Sequence, residues 1–162
     1  MNLEPQLKFA APVWNRKKGK RTMGNKAYEE IKYNEKLIAM ILRSNYTLDN
    51  IVFFSPPDFS QQLGYLPHKK ESTIRSHIHK QIDRKITLTQ EVLFIRKGRI
   101  LVNLYTEDKK YITSRELCTG DVILLCSGGH GFKILEDTEM IEVKQGPFSG
   151  KDNDKEVFEG IE

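Results

Sequence analysis

An all-β domain is predicted for this chain, on three observations. Short apolar runs with turn residues between them recur roughly every eight to twelve residues, as in a sandwich or barrel. There is no internal repeat and no helical heptad. The 162 residues, 38% of them hydrophobic, suffice for one domain with a real core.

The elements follow in order. Residues 1–35 read as an irregular basic arm broken by Pro5, Pro12, Gly19 and Gly24, with a helical or extended segment over Lys26–Tyr33. Lys36–Arg43 (KLIAMILR) is an apolar run that suits a buried helical turn or a strand; its shortness and polar flanks fit a strand. Asn50–Phe54 reads as a strand stopped by Ser55-Pro56-Pro57-Asp58. Ser72–Lys80 alternates in the manner of a strand, and Gln81–Lys85 is a charged connection. Ile86–Arg96 is strand-like, and Lys97-Gly98 predicts a hairpin into Arg99–Tyr105. After a turn at Glu107–Lys110 come strands at Tyr111–Leu117 and Val122–Cys126, joined through Thr119-Gly120-Asp121. Beyond the Ser127-Gly128-Gly129 break, His130–Leu135 and Met140–Lys144 form a predicted last hairpin. The β domain therefore spans residues 36–150, followed by an acidic tail, 151–162, in which Val157-Phe158 can tuck onto the domain.

The net charge of +4 is unevenly distributed. Residues 16–26 carry six bases and no acid, whereas residues 136–162 carry nine acids against three lysines. A nucleic-acid domain would instead spread bases along a face among aromatics, so a solvated basic loop is expected and nucleic acid is not an expected partner. No apolar run reaches membrane-spanning length, and no secretory signal pattern opens the sequence. Two cysteines make no disulfide framework, so a reducing, cytoplasmic setting is expected. Cys118 precedes a turn, and Cys126 reads as a buried apolar thiol.

The four histidines are more informative than the charge. On a strand, His77 and His79 would point to one face, where two imidazoles can share one divalent metal. Glu91 and His130 are the further donors that would complete a shell of three nitrogens and one carboxylate. Such a mixed set suits Fe, Mn, Ni, Zn or Co and not Ca. Arg75 shares strand parity with the histidine pair and is a candidate contact for an anionic ligand. Gln62, Tyr65 and Lys144 are further candidate ligand contacts, with Tyr65, Lys133 and Lys144 as unranked candidate bases. Gln62 can equally cap loop backbone, and His68, in a Pro-His-Lys-Lys turn, reads as exposed.

These residues resemble the two motifs of the cupin superfamily. His77-Ile78-His79 matches the histidine pair, Glu91 through Gly98 matches the E-x6-G half of the first motif, and Gly120 to His130 matches the second. The sequence departs from the pattern in four places, one being that no asparagine follows His130, where Gly131-Phe132-Lys133-Ile134 stand. Eleven residues separate His79 from Glu91 instead of three or four, Glu71 stands at the leading glycine, and Cys126-Ser127-Gly128 replaces P-x-G. The segments FSQQLGY, TQEVLFIRKGRI, GDVILL, GGHGF and MIEVKQGPFSG, closing with DKEVF, are similar to small single-domain cupins of surface-polysaccharide gene clusters, including the WbuC-type metalloproteins of O-antigen loci.

The resemblance implies a jelly-roll (double-stranded β-helix) barrel with one divalent metal on His77, His79, Glu91 and His130. It also implies a small-molecule ligand, a sugar or nucleotide-sugar, in polysaccharide synthesis. Isomerase- or epimerase-like Lewis-acid chemistry, a non-catalytic binding or regulatory module, and an iron-dependent dioxygenase are the activities it leaves open. A homodimer is expected, with the 36–54 strands pairing across subunits to cover an edge.

Overall fold

A computed structural model describes residues 27–148 and 150–161, so the expectations for the basic segment 16–26 lie outside the described residues. The chain divides into two compact units: residues 47–83, and residues 27–46 together with 84–161.

The larger unit is all-β. Strands β1 (Tyr28–Tyr33) and β2 (Lys36–Leu42) form a hairpin, which settles both open readings as strands. In the smaller unit, β3 (Val52–Phe53) and β4 (Gly64–Tyr65) are a two-residue ladder. The larger unit continues with β5 (Glu91–Lys97), β6 (Arg99–Tyr105), β7 (Tyr111–Cys118), β8 (Val122–Leu125), β9 (Gly129–Ile134) and β10 (Glu139–Lys144), then a one-turn helix α1 (Lys151–Asp154). Its strands make a five-stranded sheet, β1-β2-β8-β5-β10, and a three-stranded sheet, β7-β6-β9, with every pairing antiparallel.

One core cluster draws on both sheets. Ile41, Leu93, Ile95 and Ile123 come from the first, and Ile100, Val102, Leu104 and Leu117 from the second. Along β5 and β6 these are alternate residues, as expected where one face of each sheet is buried against the other. The architecture is therefore two packed layers and not the closed barrel expected. Both β9 and β10 end their sheets, with no strand on their outer edges among the described residues.

Two predicted hairpins are instead corners. β5 and β6 adjoin at Gly98, yet β5 pairs with β8 and β10 while β6 pairs with β7 and β9. Likewise β9 and β10 lie in different sheets, so residues 135–138 cross between layers. From β5 onward only β6–β7 is a hairpin, and every other connection changes sheet. Local turn chemistry is the same in both cases; the sheet partner is decided elsewhere in the chain.

Two further expectations change. Ser72–Lys80 forms no strand and runs irregular and exposed, with Ile78 93% accessible. β2 lies between β1 and β8, so both its edges are occupied and it cannot pair across subunits.

The β7–β8 corner is fixed by a buried ion pair. Asp121 Oδ2 accepts from Arg43 Nη1 at 2.9 Å and from the Cys118 amide at 3.0 Å, and Oδ1 accepts from the Ser44 amide at 2.9 Å. Both side chains are at most a tenth exposed. Ile95 N–H donates to the Asp121 carbonyl, and Gly120 N–H donates back to Ile95. Removing one partner of such a pair strands the other charge. Asp121→Ala is therefore expected to destabilise the chain by about 3–5 kcal/mol, read as a lower urea midpoint. A loss within the range of an ordinary surface substitution would contradict that role.

Candidate functional site

The site is built at one end of the two-layer unit. Glu91 opens β5 on the face that carries Leu93 and Ile95 inward. His130 stands near the start of β9 on the same face as Phe132, which packs on the core. The two sheets thus bring a carboxylate and an imidazole to face each other, with His130 Nε2 3.2 Å from Glu91 Oε2. The Glu91 side chain is 16% exposed and that of His130 30%.

The corner before β9 sets the position of His130. The amides of Cys126 and Ser127 both donate to the Ile38 carbonyl, and Ser127 Oγ donates to the Leu37 carbonyl at 2.8 Å. Gly128 has φ +75°, and a Cβ there would lie 2.3 Å from the Tyr105 carbonyl oxygen. Only glycine fits this close approach, so the flexible break read from the sequence is a tightly held corner.

Lys144, at the end of β10 opposite Glu91, is the second partner of that carboxylate. Its ammonium lies 3.7 Å from Glu91 Oε1, 3.5 Å from Glu142 Oε1 and 3.5 Å from Asp154 Oδ2. The hydrogen bond from His130 holds the Glu91 carboxyl below its ordinary value against the opposing effect of burial, with Lys144 and Lys155 adding to the depression. Desolvation is the largest single influence on Lys144 and lowers its pKa, but Glu142, Glu91 and Asp154 together outweigh it and raise the pKa. Both groups are thereby held charged.

Glu91, His130 and Lys144 line a cleft of about 600 Å³ with Thr87, Thr89 and Ser127. Phe132, Asp154, Glu156 and Phe158 also face it. Hydroxyls and carboxylates predominate over apolar walls, a lining suited to a small polar ligand.

The other candidate residues lie in the smaller unit. The rings of His77 and His79 are 5.2 Å apart, and His77 Nδ1 is 2.9 Å from the Arg75 carbonyl oxygen; all three residues are exposed. They sit in an irregular segment, so the strand-parity argument that placed both imidazoles on one face does not apply. Gln62 is engaged in its own loop, donating to the Pro56 and Phe59 carbonyls and accepting from Ser55 Oγ. Tyr65 is half-buried on β4. The structure thus brings Glu91, His130 and Lys144 together, and His77 with His79, each set in its own unit. Among the described residues no group of three or more His, Cys, Asp or Glu stands ready to hold a metal ion. Cys126 is buried, its thiol pushed up to about 12 by desolvation and by Glu30, as suits an inert core residue.

Asp154, Glu142 and Glu156 were missed in the sequence. Glu142 lies on the predicted strand Met140–Lys144, and Asp154 and Glu156 lie in the acidic tail, whose only structural signal is the Val157-Phe158 pair. Compared with protein-family models, with curated proteins and with solved structures, the chain matches none.

A depressed carboxyl stabilises the fold above its unfolded pKa, and that contribution is lost as pH falls through the folded value. The stability difference between the native chain and Glu91→Gln is therefore expected above pH 4.5, the ordinary glutamate value, and should shrink below it. Urea titrations at pH 7, 5 and 3 check this; a gap that widens in acid would contradict it.

Proposed function

We propose that this chain is a cupin of jelly-roll type that holds one divalent transition metal, Fe, Mn, Ni, Zn or Co, and acts on a sugar or nucleotide-sugar in surface-polysaccharide synthesis. The observation that carries the reading is the Glu91–His130 pair, one oxygen and one nitrogen donor directed into a single cleft from two sheets. Their separation of 3.2 Å fits two neighbouring ligands of one ion. Ligands about 2.0–2.2 Å from a metal and at right angles to each other lie about 3 Å apart. His77 and His79 are the proposed remaining donors. The repeated change of sheet from β5 to β10 agrees with a jelly-roll path. The sugar rests on the sequence resemblance and on the hydroxyl- and carboxylate-rich cleft.

A bound metal would supply Lewis-acid polarisation of a ligand carbonyl. The chain's own groups do the rest. Glu91 and His130 would hold the ion, Lys144 stays protonated among three carboxylates, and the hydroxyls of Thr87, Thr89 and Ser127 offer hydrogen bonds to a polyol. A metal-free reading is favoured by the Glu91–His130 hydrogen bond, since a carboxylate on an imidazole also makes a proton carrier of His130. A homodimer belongs to the first reading, with β10 as an available edge where Ile141 and Val143 are about half exposed.

Elemental analysis of the native protein is expected to find close to one transition metal per chain, with His77→Ala plus His79→Ala losing it. A thermal-shift screen against sugars and nucleotide-sugars is expected to raise the melting temperature by mass action. No metal in native protein and none taken up on reconstitution would overturn the metal reading. Ligand binding that survives without metal would remove the metal from ligand recognition and leave the metal-free reading.

A further inference from the structure

The segment after α1 crosses the outer face of the three-stranded sheet and is held there residue by residue. Phe158 stands edge-on to Tyr105, ring centroids 5.1 Å apart and planes at 89°. Its ring also lies against Gly129, where a Cβ would come within 3.0 Å of it. At Ile161 both backbone groups are engaged. The N–H donates to Tyr105 Oη at 2.9 Å, and the carbonyl accepts from Asn103 Nδ2 at 3.2 Å. Asn103 is itself buried and aimed by Ser114, whose hydroxyl donates to Oδ1 at 2.6 Å. Gly160 leaves no room for a side chain, since a Cβ there would lie 2.5 Å from Tyr105 Oη. Two ion pairs fasten the earlier part of the segment, Glu156 to Lys109 at 2.5 Å and Asp154 to Lys144 at 3.5 Å.

The same segment forms a wall of the candidate site. His130, Phe132, Lys155, Glu156 and Phe158 line both the 600 Å³ cleft over Glu91 and a second opening of about 700 Å³ above Asn103 and Tyr105. The segment therefore borders both openings where they meet His130.

We propose that residues 154–161 are a latch on the Glu91–His130 cleft. The Asn103–Tyr105 face is its receptor, reading Phe158, Gly160 and Ile161, and its release opens the cleft at His130 into the second opening. The Lys144–Asp154 pair ties the latch to the charge network of Glu91, so latch and site share one ammonium. The inference concerns access to the imidazole alone, so the chain is first treated with a chelator to keep a bound ion from masking His130.

The experiment uses the full chain with two substitutions that spare the sheets. Tyr105→Phe removes only the hydroxyl that accepts from Ile161, and Gly160→Val forces a side chain against it. Amide hydrogen exchange at Ile161 is expected to quicken about tenfold in Gly160→Val and also in Tyr105→Phe, which lacks its acceptor, with the β6 amides still protected. Acylation of His130 by diethylpyrocarbonate, resolved by peptide mass spectrometry, is expected to quicken several-fold in step, with His68 as the internal control. Faster exchange with unchanged His130 reactivity would show that the segment does not guard the site. Unchanged exchange in Gly160→Val would show that the clamp does not hold it. Either result overturns the proposal, and neither bears on whether a metal binds.

Discussion

The buried Asp121 carboxylate is the constraint on which the larger unit depends. It accepts hydrogen bonds from the end of β2 and the end of β7, while its own carbonyl holds β5 through Ile95. The charge is matched by Arg43 in a setting nearly closed to water, where an unpaired partner would be costly. Its position makes the chain leave the three-stranded sheet and enter the five-stranded one at β8. With β8 so placed, β5 pairs beside it and presents Glu91, and the next corner returns the chain to the other sheet as β9 and presents His130.

The functional end of the molecule follows from that folding by electrostatics. Two carboxylates, Glu142 and Asp154, surround the Lys144 ammonium, and Lys144 and His130 surround the Glu91 carboxylate. Each charge stabilises the next, so the cleft keeps a charged carboxylate beside an imidazole without a large unpaired field. An arrangement of this kind can exchange one cation for another or pass a proton along the Glu91–His130 bond, which is why both readings of its chemistry share the same residues.

Much of this was legible in the sequence. Alternating apolar residues gave β5 to β8 within a few residues, and Glu91, His130 and Lys144 were candidates before their contact was known. The rest depended on non-local facts. Lys97-Gly98 has hairpin chemistry, yet the strands it joins take partners in different sheets, and no local signal separates a hairpin from a corner. His77-Ile78-His79 alternates like a strand, but alternation makes a strand only where a neighbour offers a ladder, and that segment has none. In the trailing segment only Val157-Phe158 signalled an attachment, because its other anchors are Gly160, backbone groups and two ion pairs, which stand out little in an acidic composition.

The central claim is that Glu91 and His130 form one binding centre, and imidazole nitrogen spectroscopy addresses it most directly. With four histidines in the chain, a long-range ¹H–¹⁵N correlation spectrum holds four imidazole patterns. On titration with Zn²⁺ at neutral pH, the His130 Nε2 resonance is expected to move to a metal-bound position and to saturate at one equivalent. In Glu91→Gln the same titration should need markedly more metal. A His130 pattern that stays fixed while zinc shifts other imidazoles, or while the protein takes up no zinc, would contradict the account.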